Sequence, residues 1–480
     1  MNMVACRVVT TMVKTKNIVL ALLAALLLAA TGVKAQQTQT WDQVWQELME
    51  GEDLDDEARE EDFERLSQLA AHPLDLNRAT REELEQLPFL SAQQVEDLAE
   101  YRDRYGPMRS LGELRMVRSM DYVQLQLMPF FVFIDGTADK EQATTRRQQP
   151  YTEMTATARL PFYERSGDRQ GYLGYKYRHS LRLEHTFSNG TRAGIVGAQD
   201  AGEPFFAGRN KWGYDAYSYY VQTGPVGIVD KAVIGKFKMS AGMGLVMNTS
   251  FSMGKLATLQ TLGRQATTLR PHSSRSEADY FQGAAVTLAL ARRKERAGSP
   301  LQLTTFLSYR PMDGTLDADG TLTNLTTTGY HRTETEMGRK HNTHLTAAGG
   351  RLAFRHGGWR AAANAVHTHL DRRLCPPPTV LYRRYSPQGA DFTNMSLDYG
   401  YTHHRFAVSG ETAVSGNGAV ATINSISCLP TASLSVMALW RLYSYRYTGL
   451  YSHSFGDSSS AQNESGLFLG ASWTPLAHLH

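Results

Sequence analysis

Segments in which apolar and polar side chains alternate recur from residue 151 to the end of the chain. In the clearest one, residues 175–187, Tyr, His, Leu and Phe occupy the odd positions, while Lys, Arg, Ser, Glu and Thr occupy the even ones. Since successive side chains of a β-strand point to opposite faces, this alternation predicts strands with one apolar and one polar face. There are about fourteen such segments, each near the length of a tilted strand that crosses a bilayer.

The connections between these segments alternate between short and long. Short turns on one rim and long loops on the other are typical of an outer-membrane β-barrel, whereas a soluble sandwich gives no reason for such alternation. We therefore predict that residues 151–480 form a large antiparallel transmembrane β-barrel. The short turns are residues 188–190, 224–225, 356–358 and 403–405, and the long connections are residues 161–174, 200–213, 238–279, 311–345 and 371–392.

Composition agrees with a barrel. The chain has 23 Tyr, 18 Phe and 40 Gly with a mean hydropathy of −0.38, and past the N-terminal region no apolar run is long enough for a membrane-spanning helix. Within residues 175–187, Arg178 and Arg182 fall on the polar face. We predict that they line a lumen that favours anions.

Residues 74–134 follow a helical pattern instead. Four capping boxes stand in this stretch, at residues 80–83, 91–94, 110–113 and 121–124. In each box a Ser, Thr or Asp can cap backbone N–H groups, while the Glu or Gln three residues later reaches back to the cap. Apolar residues at helical spacing follow each box, so the stretch predicts two short helix-turn-helix pairs packed on each other.

This pattern resembles the tandem helix-hairpin-helix domain of competence-type DNA-uptake proteins, which would imply a DNA-binding role. In that family each hairpin is a Gly-hydrophobic-Gly turn whose bare backbone N–H groups approach a phosphate. The corresponding turns here have no glycine, and one has a carboxylate, so we predict contact with a protein partner instead. The resemblance rests on Leu76, Asn77, Ala79, Thr80, Glu82, Glu83, Leu84, Leu87, Pro88, Tyr101, Arg102, Gly106, Pro107, Ser110, Glu113 and Leu114. The predicted partner-binding residues are Phe89, Leu90, Ser91, Ser119, Met120 and Asp121.

The charge of this part of the chain also disfavours nucleic acid. Residues 41–130 contain 22 acidic residues against 9 arginines and no lysine, a balance of 9 − 22 = −13. A phosphate-binding module needs a positive surface, because neutralising phosphates supplies most of its affinity. A protein-contacting or structural role is therefore favoured, and DNA binding is kept as the alternative.

The N-terminal region has the pattern of an export signal. Lys14 and Lys16 precede an apolar run that is too short to span a membrane, and small residues then occupy the cleavage positions. We predict a signal peptide over residues 1–35, an acidic helical leader over residues 36–73 and a linker over residues 135–150. Export would place the barrel in the outer membrane and the helical domain in the periplasm, on the side of the short turns.

A second resemblance covers the mature chain. Residues 226–285, with Gly242-Met243-Gly244 and Leu269-Arg270-Pro271-His272, are similar to a Bacteroidetes family of helix-hairpin-helix proteins with a C-terminal outer-membrane barrel. The family implies this architecture and no particular reaction. Its barrel continues past the position of His480, so we expect a truncated barrel that lacks its last strands.

Candidate chemistry is sparse. Histidine pairs at 341 and 344, 367 and 369, and 403 and 404 lack acidic or cysteine partners at a telling spacing, so neither a metal nor a cofactor is predicted. Cys375 and Cys428 could form a disulfide or remain separate thiols. No nucleophile motif such as Gly-x-Ser-x-Gly is present, and no catalytic residue is predicted.

The predicted fold is therefore α+β and multidomain, a small all-α tandem helix-hairpin-helix domain followed by the barrel. The predicted function is non-enzymatic, in transport or envelope assembly, with outer-membrane lipid and an envelope protein as partners. DNA uptake and an outer-membrane hydrolase are the alternatives.

Overall fold

A computed structural model of the chain divides into two units, residues 1–48 and 49–480. The predicted signal peptide lies outside the described residues, as do most of the predicted leader, most of the linker and residues 474–480. The structure describes residues 41, 44, 66–67, 69–70, 73–87, 89–134, 150–249, 269–275, 277, 279–291, 300–377, 383–403, 405–431, 434–457 and 460–473.

Residues 74–134, the helical domain, form short helices closed by a pair of parallel two-residue strands. Their apolar side chains meet in a core that includes Leu84, Leu98 and Leu127, each with no exposed surface. The elements are β1 (Leu74–Asp75), α1 (Arg81–Leu84), α2 (Ala92–Tyr105), a 3₁₀ helix (Leu111–Met116), α3 (Tyr122–Phe131) and β2 (Val132–Phe133).

Three of the four predicted caps form. Thr80 and Ser91 make complete capping boxes at the starts of α1 and α2, and Asp121 accepts the backbone N–H of Gln124 at the start of α3. The prediction at Ser110 was wrong, because its side chain makes no cap bond and the segment it precedes is a 3₁₀ helix. There Glu113 accepts the backbone N–H of Arg109 instead.

Over the described residues from 150 to 473, the chain forms one sheet of sixteen strands. Each long strand is antiparallel to its neighbours in sequence order, and the one parallel contact described in this sheet joins Leu322 to Leu374. The strands are β3 (Tyr151–Arg159), β4 (Arg178–Thr186), β5 (Arg192–Gln199), β6 (Ala216–Thr223), β7 (Val229–Met239), β8 (Leu269–Pro271), β9 (Phe281–Ala291), β10 (Leu301–Leu316), β11 (Leu322–Thr326), β12 (Thr343–His356), β13 (Trp359–Leu374), β14 (Gly389–His403), β15 (Phe406–Ser415), β16 (Val420–Thr431), β17 (Leu434–Tyr443) and β18 (Glu464–Trp473). Two short helices, α4 (Ser166–Arg169) and α5 (Glu334–Arg339), lie in the connections.

The sheet has sixteen strands where the sequence predicts about fourteen. The difference corresponds to β8 and β11, short strands of three and five residues that lie within predicted long connections. Most connections at one end of the sheet are short and most at the other are long, which gives the sheet a short-turn end and a long-loop end. The alternation fails between β15 and β16, which residues 416–419 join by a short turn at the long-loop end. The strand order runs from β3 to β18, and no pairing between these two strands is described in residues 150–473.

The two faces of the sheet have inverted polarity, as β14 illustrates. Asn394, Ser396 and Asp398 on this strand are at most 6% exposed. Between them, Met395 and Leu397 are 52% and 63% exposed. The polar face of the strand is therefore enclosed and the apolar face is open, which is the reverse of a soluble sheet.

The helical domain contacts the sheet at its short-turn end. The guanidinium of Arg355, at the end of β12, lies 3.1 Å from a carboxylate oxygen of Glu85. The side-chain amide of Gln93, in the first turn of α2, donates to the carbonyl of Ser427 near the end of β16 at 3.3 Å. These contacts agree with the predicted position of the domain relative to the short turns.

Candidate functional site

The six residues predicted to bind a partner form the two hairpin turns of the helical domain. Phe89, Leu90, Ser119 and Met120 are buried, and the Phe89 ring packs on Phe131 with centroids 5.2 Å apart. Ser91 and Asp121 are partly exposed but serve as helix caps. The apolar hairpin residues close the core of the domain, and contact of the six residues with a partner remains a prediction.

The two hairpins are bonded to each other in a reciprocal way. The side-chain amide of Gln94 donates to the carbonyl of Ser119 at 2.9 Å, and that of Gln124 donates to the carbonyl of Phe89 at 3.0 Å. Gln94 and Gln124 are the third residues after their caps, so one glutamine from each hairpin holds the other hairpin. Both glutamines are buried, and their two bonds join the hairpins.

Arg178 and Arg182 share the enclosed face of β4 with the buried Ser180, as the alternation predicts. The Arg178 guanidinium lies 2.7 Å from a carboxylate oxygen of Asp200. The Arg178 charge is therefore neutralised within the protein, and the predicted preference of the lumen for anions remains a prediction.

The enclosed side of the sheet is filled by residues 240–249, here named the plug. A bridge between Ser240 and Asn248 closes this segment into a turn. Leu245, Val246 and Met247 are at most 1% exposed and join an apolar cluster with side chains from β7 to β17. The sequence analysis noted Gly242-Met243-Gly244 in a long connection, and the structure places it inside the sheet.

Glu411 of β15 holds the tip of the plug. Its Oε2 atom accepts the backbone N–H groups of Met243 and Leu245, at 2.6 and 3.1 Å. Gly242 and Gly244 have φ angles of 59° and 92°, which are unfavourable for other residues. A Cβ atom on Gly242 would lie 2.7 Å from the Glu411 carboxylate. The glycines thus shape a backbone concavity around a carboxylate.

A ladder of polar side chains continues from Glu411 across four strands, and we name it the interior ladder. Ser396 donates to Glu411 at 2.7 Å, and Asn364 donates to both Ser396 and Asp398 at 3.0 and 2.8 Å. Arg351 binds Asp398 with two nitrogens at 2.5 and 3.2 Å. All five residues are buried, so these partners satisfy polar groups that would otherwise be costly inside the sheet.

The opposite side of the plug contacts the connection between β17 and β18. The hydroxyl of Tyr447 donates to the Leu245 carbonyl at 2.8 Å, and that of Ser454 donates to the Met243 carbonyl at 2.9 Å. The Asn248 backbone N–H donates to the carbonyl of Tyr451 at 2.9 Å. The plug is therefore held between β15 and this connection.

A second buried cluster ties the long connections together, and we name it the histidine cluster. His331, which follows β11, is fully buried between two carboxylates. Its Nδ1 atom lies 2.5 Å from Asp215, and its Nε2 atom lies 2.7 Å from Asp313. The ammonium of Lys340 lies 2.8 Å from Asp215, and the backbone N–H of His331 donates to Glu203 at 2.8 Å.

Burial and neighbouring charges set the protonation of this cluster. Burial opposes a charged imidazole at His331, but the bonds to Asp215 and Asp313 outweigh it and raise the pKa of His331 to about 10. Burial and the charges of Asp215 and Asp200 raise the pKa of Glu203 to about 8. At neutral pH the negative charges of Asp215 and Asp313 are thus balanced by the positive charges of His331 and Lys340, while Glu203 is neutral.

Ligand atoms of Glu203, Asp215 and His331 lie within 4.8 Å of one another, a spacing that a metal ion could bridge. Both imidazole nitrogens of His331 are already bonded to carboxylates, and both Glu203 oxygens accept backbone N–H groups. A metal would have to displace a proton and break these bonds. The arrangement is better suited to holding the long connections together by ion pairs and hydrogen bonds.

Among the histidines considered in the sequence, His341 joins the histidine cluster, since its backbone N–H donates to Asp313 at 2.8 Å. His344, His367, His369 and the two cysteines lie elsewhere, and His404 lies outside the described residues. His367 and His369 face Asp391 on the exposed side of β13, and His344 faces Asp371. Cys375 and Cys428 are both free thiols on the surface, so they form no disulfide.

The sequence analysis missed Glu411 and His331. The signal for Glu411 was a carboxylate at an inward position of an alternating segment, where a buried partner is required. No local pattern marks His331, because Asp313 lies on β10, 18 residues before it, and Asp215 lies in a connection 116 residues before it.

Comparison with known proteins agrees with the helical domain. Residues 70–132 match the model of the helix-hairpin-helix motif. No curated protein matches the chain.

Among solved structures, the in-vitro folded outer membrane protein OmpT of Vibrio cholerae is 11% identical, covering 68% of this chain and 95% of its own, with a TM-score of 0.26. An anion-selective porin from Comamonas acidovorans is 9% identical, covering 68% and 98%, also with a TM-score of 0.26. OccK9 (OpdG) of Pseudomonas aeruginosa is 10% identical, covering 61% and 80%, with a TM-score of 0.22. TM-scores this low do not establish a shared fold.

Within the described residues, no helix is both long and apolar enough to cross a membrane.

Proposed function

We propose that this protein is a non-enzymatic outer-membrane β-barrel that carries its helix-hairpin-helix domain on the periplasmic side and acts in envelope assembly or gated transport. The inverted polarity of the sheet carries the proposal. A face with Leu397, Ile234 and Leu469 at 63–71% exposure is unfavourable in water and suits lipid.

Aromatic side chains border this apolar face at both ends. At the long-loop end, Tyr175, Tyr177 and Trp212 are exposed, and at the short-turn end Trp359 and Trp473 are 64% and 61% exposed. Transmembrane barrels have such girdles, because an aromatic ring with a polar group is favourable at the interface between lipid and water. The two girdles support a membrane position with the short turns on one side.

The plug and the interior ladder favour a barrel whose interior is blocked to solutes at rest. The described interior contains an apolar cluster around Phe237, Phe281 and Leu245, each with no exposed surface. Passage of a solute would require the plug to move. If that movement also released Arg178 from Asp200, the inward arginines Arg178 and Arg182 would favour anions. Conductance without anion preference in planar bilayers would remove that part of the proposal.

Burial of the hairpin turns favours a protein partner over nucleic acid. A helix-hairpin-helix domain that binds DNA offers hairpin backbone N–H groups to phosphate. Here Leu90 and Met120 are enclosed, and Asp121 adds a negative charge beside them. The competence-type DNA-binding role stays the alternative, and it predicts a mobility shift of labelled duplex by the full chain at low salt.

Heat-modifiability of washed outer membranes tests the proposal. After urea washing, the protein should remain in the membrane, and boiled and unboiled samples should migrate differently on a gel, because a folded barrel resists detergent until heated. An extractable protein, or one that does not shift, would contradict the membrane barrel.

A cysteine-labelling experiment tests the sidedness. In a background with Cys375 and Cys428 replaced by serine, a cysteine at Tyr105 of the helical domain should react with a membrane-impermeant maleimide after the outer membrane is opened. A cysteine at Trp212, in the connection between β5 and β6, should react in intact cells. Labelling of Tyr105→Cys in intact cells would reverse the proposed orientation.

A further inference from the structure

The helical domain has an exposed surface that no hairpin residue forms. It is built by the last residues of α2, the 3₁₀ helix and the residues beside it, and we name it the arginine face. Tyr105 and Met116 are 67% and 69% exposed, among the largest exposures of apolar side chains in the described part of the domain. The arginine face consists of Arg104, Tyr105, Arg109, Arg115, Met116 and Arg118, all of which are exposed.

Contacts beneath the surface fix the two apolar side chains close together. The ring of Tyr101 lies 5.0 Å from that of Tyr105, and its hydroxyl lies 3.7 Å from the sulfur of Met116. The same hydroxyl donates to Glu113 at 3.2 Å, and the Arg104 guanidinium carbon lies 5.6 Å from the centre of the Tyr105 ring. The face is therefore largely preformed, which lowers the cost of ordering it on binding.

The charge of this face is opposite to that of the surrounding sequence. Residues 101–118 contain five arginines and two acidic residues, a balance of 5 − 2 = +3, whereas residues 41–130 balance to 9 − 22 = −13. Four of the five arginines are exposed, while Arg102 donates to backbone carbonyls inside the domain. In the sequence, the acidic excess thus lies outside residues 101–118.

The sheet does not cover the arginine face, whose six residues are all exposed. Contacts with the sheet come from Glu85 and from Gln93 in the first turn of α2. Tyr105 ends the same helix twelve residues later, which at 1.5 Å per residue is roughly 18 Å along the axis. A partner on the arginine face would therefore not compete with the sheet.

We propose that the arginine face is a docking site for an acidic segment of a partner protein. The inference deepens the proposed function, on which it rests for the periplasmic position of the partner. Complementary charge identifies the acidic partner, since four exposed guanidiniums attract carboxylates and can bind them in a bidentate manner.

The apolar part of the face distinguishes a protein from nucleic acid. Tyr, Met and Arg are enriched in protein interfaces and supply most of the affinity where they are central. A charged phosphate backbone gains nothing from contact with the exposed Met116 thioether, whereas an apolar side chain of a partner protein can pack on it. The face contains no lysine, and Asp103 stands within it.

Fluorescence anisotropy with the full chain in detergent micelles tests the proposal. The probe is a short fluorescein-labelled peptide rich in Asp and Glu with interspersed Leu. The peptide should bind saturably, with affinity that falls as salt rises. The double variant Arg104→Glu with Arg115→Glu should bind at least about tenfold more weakly, because each reversal replaces attraction by repulsion. Tyr105→Ala should weaken binding without changing the salt dependence.

Arg446→Glu is the matched control, since Arg446 is an exposed arginine in the connection between β17 and β18, and it should bind like the wild type. Equal binding by the double variant, or no saturable binding by the wild type, would overturn the proposal. Preferential binding of a DNA duplex, lost in the double variant, would also overturn it and assign the face to nucleic acid. All variants should retain the heat shift on gels, so a failed titration and a failed membrane assignment are distinguishable.

Discussion

The helical domain and the sheet place their apolar and polar side chains in opposite ways. In the helical domain, leucines such as Leu84 and Leu98 are enclosed, and polar side chains serve as caps at helix starts. In the sheet, Arg351, Asp398 and Glu411 are enclosed, while leucines such as Leu397 are exposed. The same residue type therefore carries a different energetic weight in each region, which the following substitutions can test.

Removing His331 should have the largest effect, because it leaves two buried carboxylates without their shared cation. Breaking a buried ion pair in this way costs about 3–5 kcal/mol. His331→Gln should therefore lower the temperature at which the protein shifts on gels. His356→Gln is the control, since His356 is exposed at the end of β12. An unchanged shift temperature in His331→Gln would mean that the histidine cluster does not stabilise the connections.

The histidine cluster also predicts weakening at high pH. The pKa of His331 is raised from 6.5 to about 10, so its contribution is complete below pH 6.5 and is lost as pH rises through about 10. The pKa of Glu203 is raised from 4.5 to about 8, and its contribution falls with rising pH over that window. Thermal unfolding between pH 7 and pH 10 should show falling stability, with a shallower slope in His331→Gln. A flat wild-type profile would contradict the protonated cluster.

Glu411→Ala should release the plug. The substitution leaves the buried N–H groups of Met243 and Leu245 without their acceptor, at about 1–3 kcal/mol for each group. Limited proteolysis should then cut within residues 240–249, and planar bilayers should show more current than with the wild type. Glu411→Gln keeps an acceptor oxygen and should resemble the wild type. If both variants resist the protease equally, Glu411 does not hold the plug.

A pair of arginine substitutions compares the exposed apolar residues of the two regions directly. Leu397 and Met116 are 63% and 69% exposed. Leu397→Arg should cost about 2–4 kcal/mol if the side chain faces lipid near mid-depth. Met116→Arg should change the free energy of unfolding by no more than about 0.5 kcal/mol, as is usual at solvent-exposed surfaces. Urea titration of folding into lipid vesicles measures both. Equal costs would remove the distinction between a lipid face and a water face.

The sequence predicted most of what depends on local pattern. Alternation located the strands, and on β4 the polar Ser180 lies on the enclosed side. Capping boxes located α1 and α2, because caps are decided by residues three apart. The short-turn and long-loop ends also followed from spacing alone.

The candidate site depends on contacts between distant residues, which local pattern cannot predict. Met243 lies 168 residues before Glu411, and Asp215 lies 116 residues before His331. The role of the hairpin residues does not follow from the sequence, because an apolar turn can close a core or meet a partner equally well. Burial of Phe89 and Leu90 decides for the core.

The smallest predicted effect concerns the reciprocal glutamines of the helical domain. Gln94→Ala and Gln124→Ala each remove one bond to a hairpin carbonyl, which should cost about 0.5–1.5 kcal/mol. The effect is smaller than at Glu411, because the hairpin carbonyl can accept a hydrogen bond from another donor and no charge is left unpaired. Denaturant titration that follows protease sensitivity of residues 89–121 measures each loss, with Gln86→Ala as the control at a partly exposed glutamine.

A double-mutant cycle sharpens this prediction. If the two glutamines hold one rigid hairpin unit, the first substitution should already loosen that unit. The double variant should then lose less free energy of unfolding than the sum of the losses in the two single variants. The peptide affinity of the arginine face should remain unchanged, because that face is supported by Tyr101 rather than by the hairpins. Strict additivity would instead mean that each hairpin is held independently, and that only the sheet of this protein stabilises its buried polar groups as a connected network.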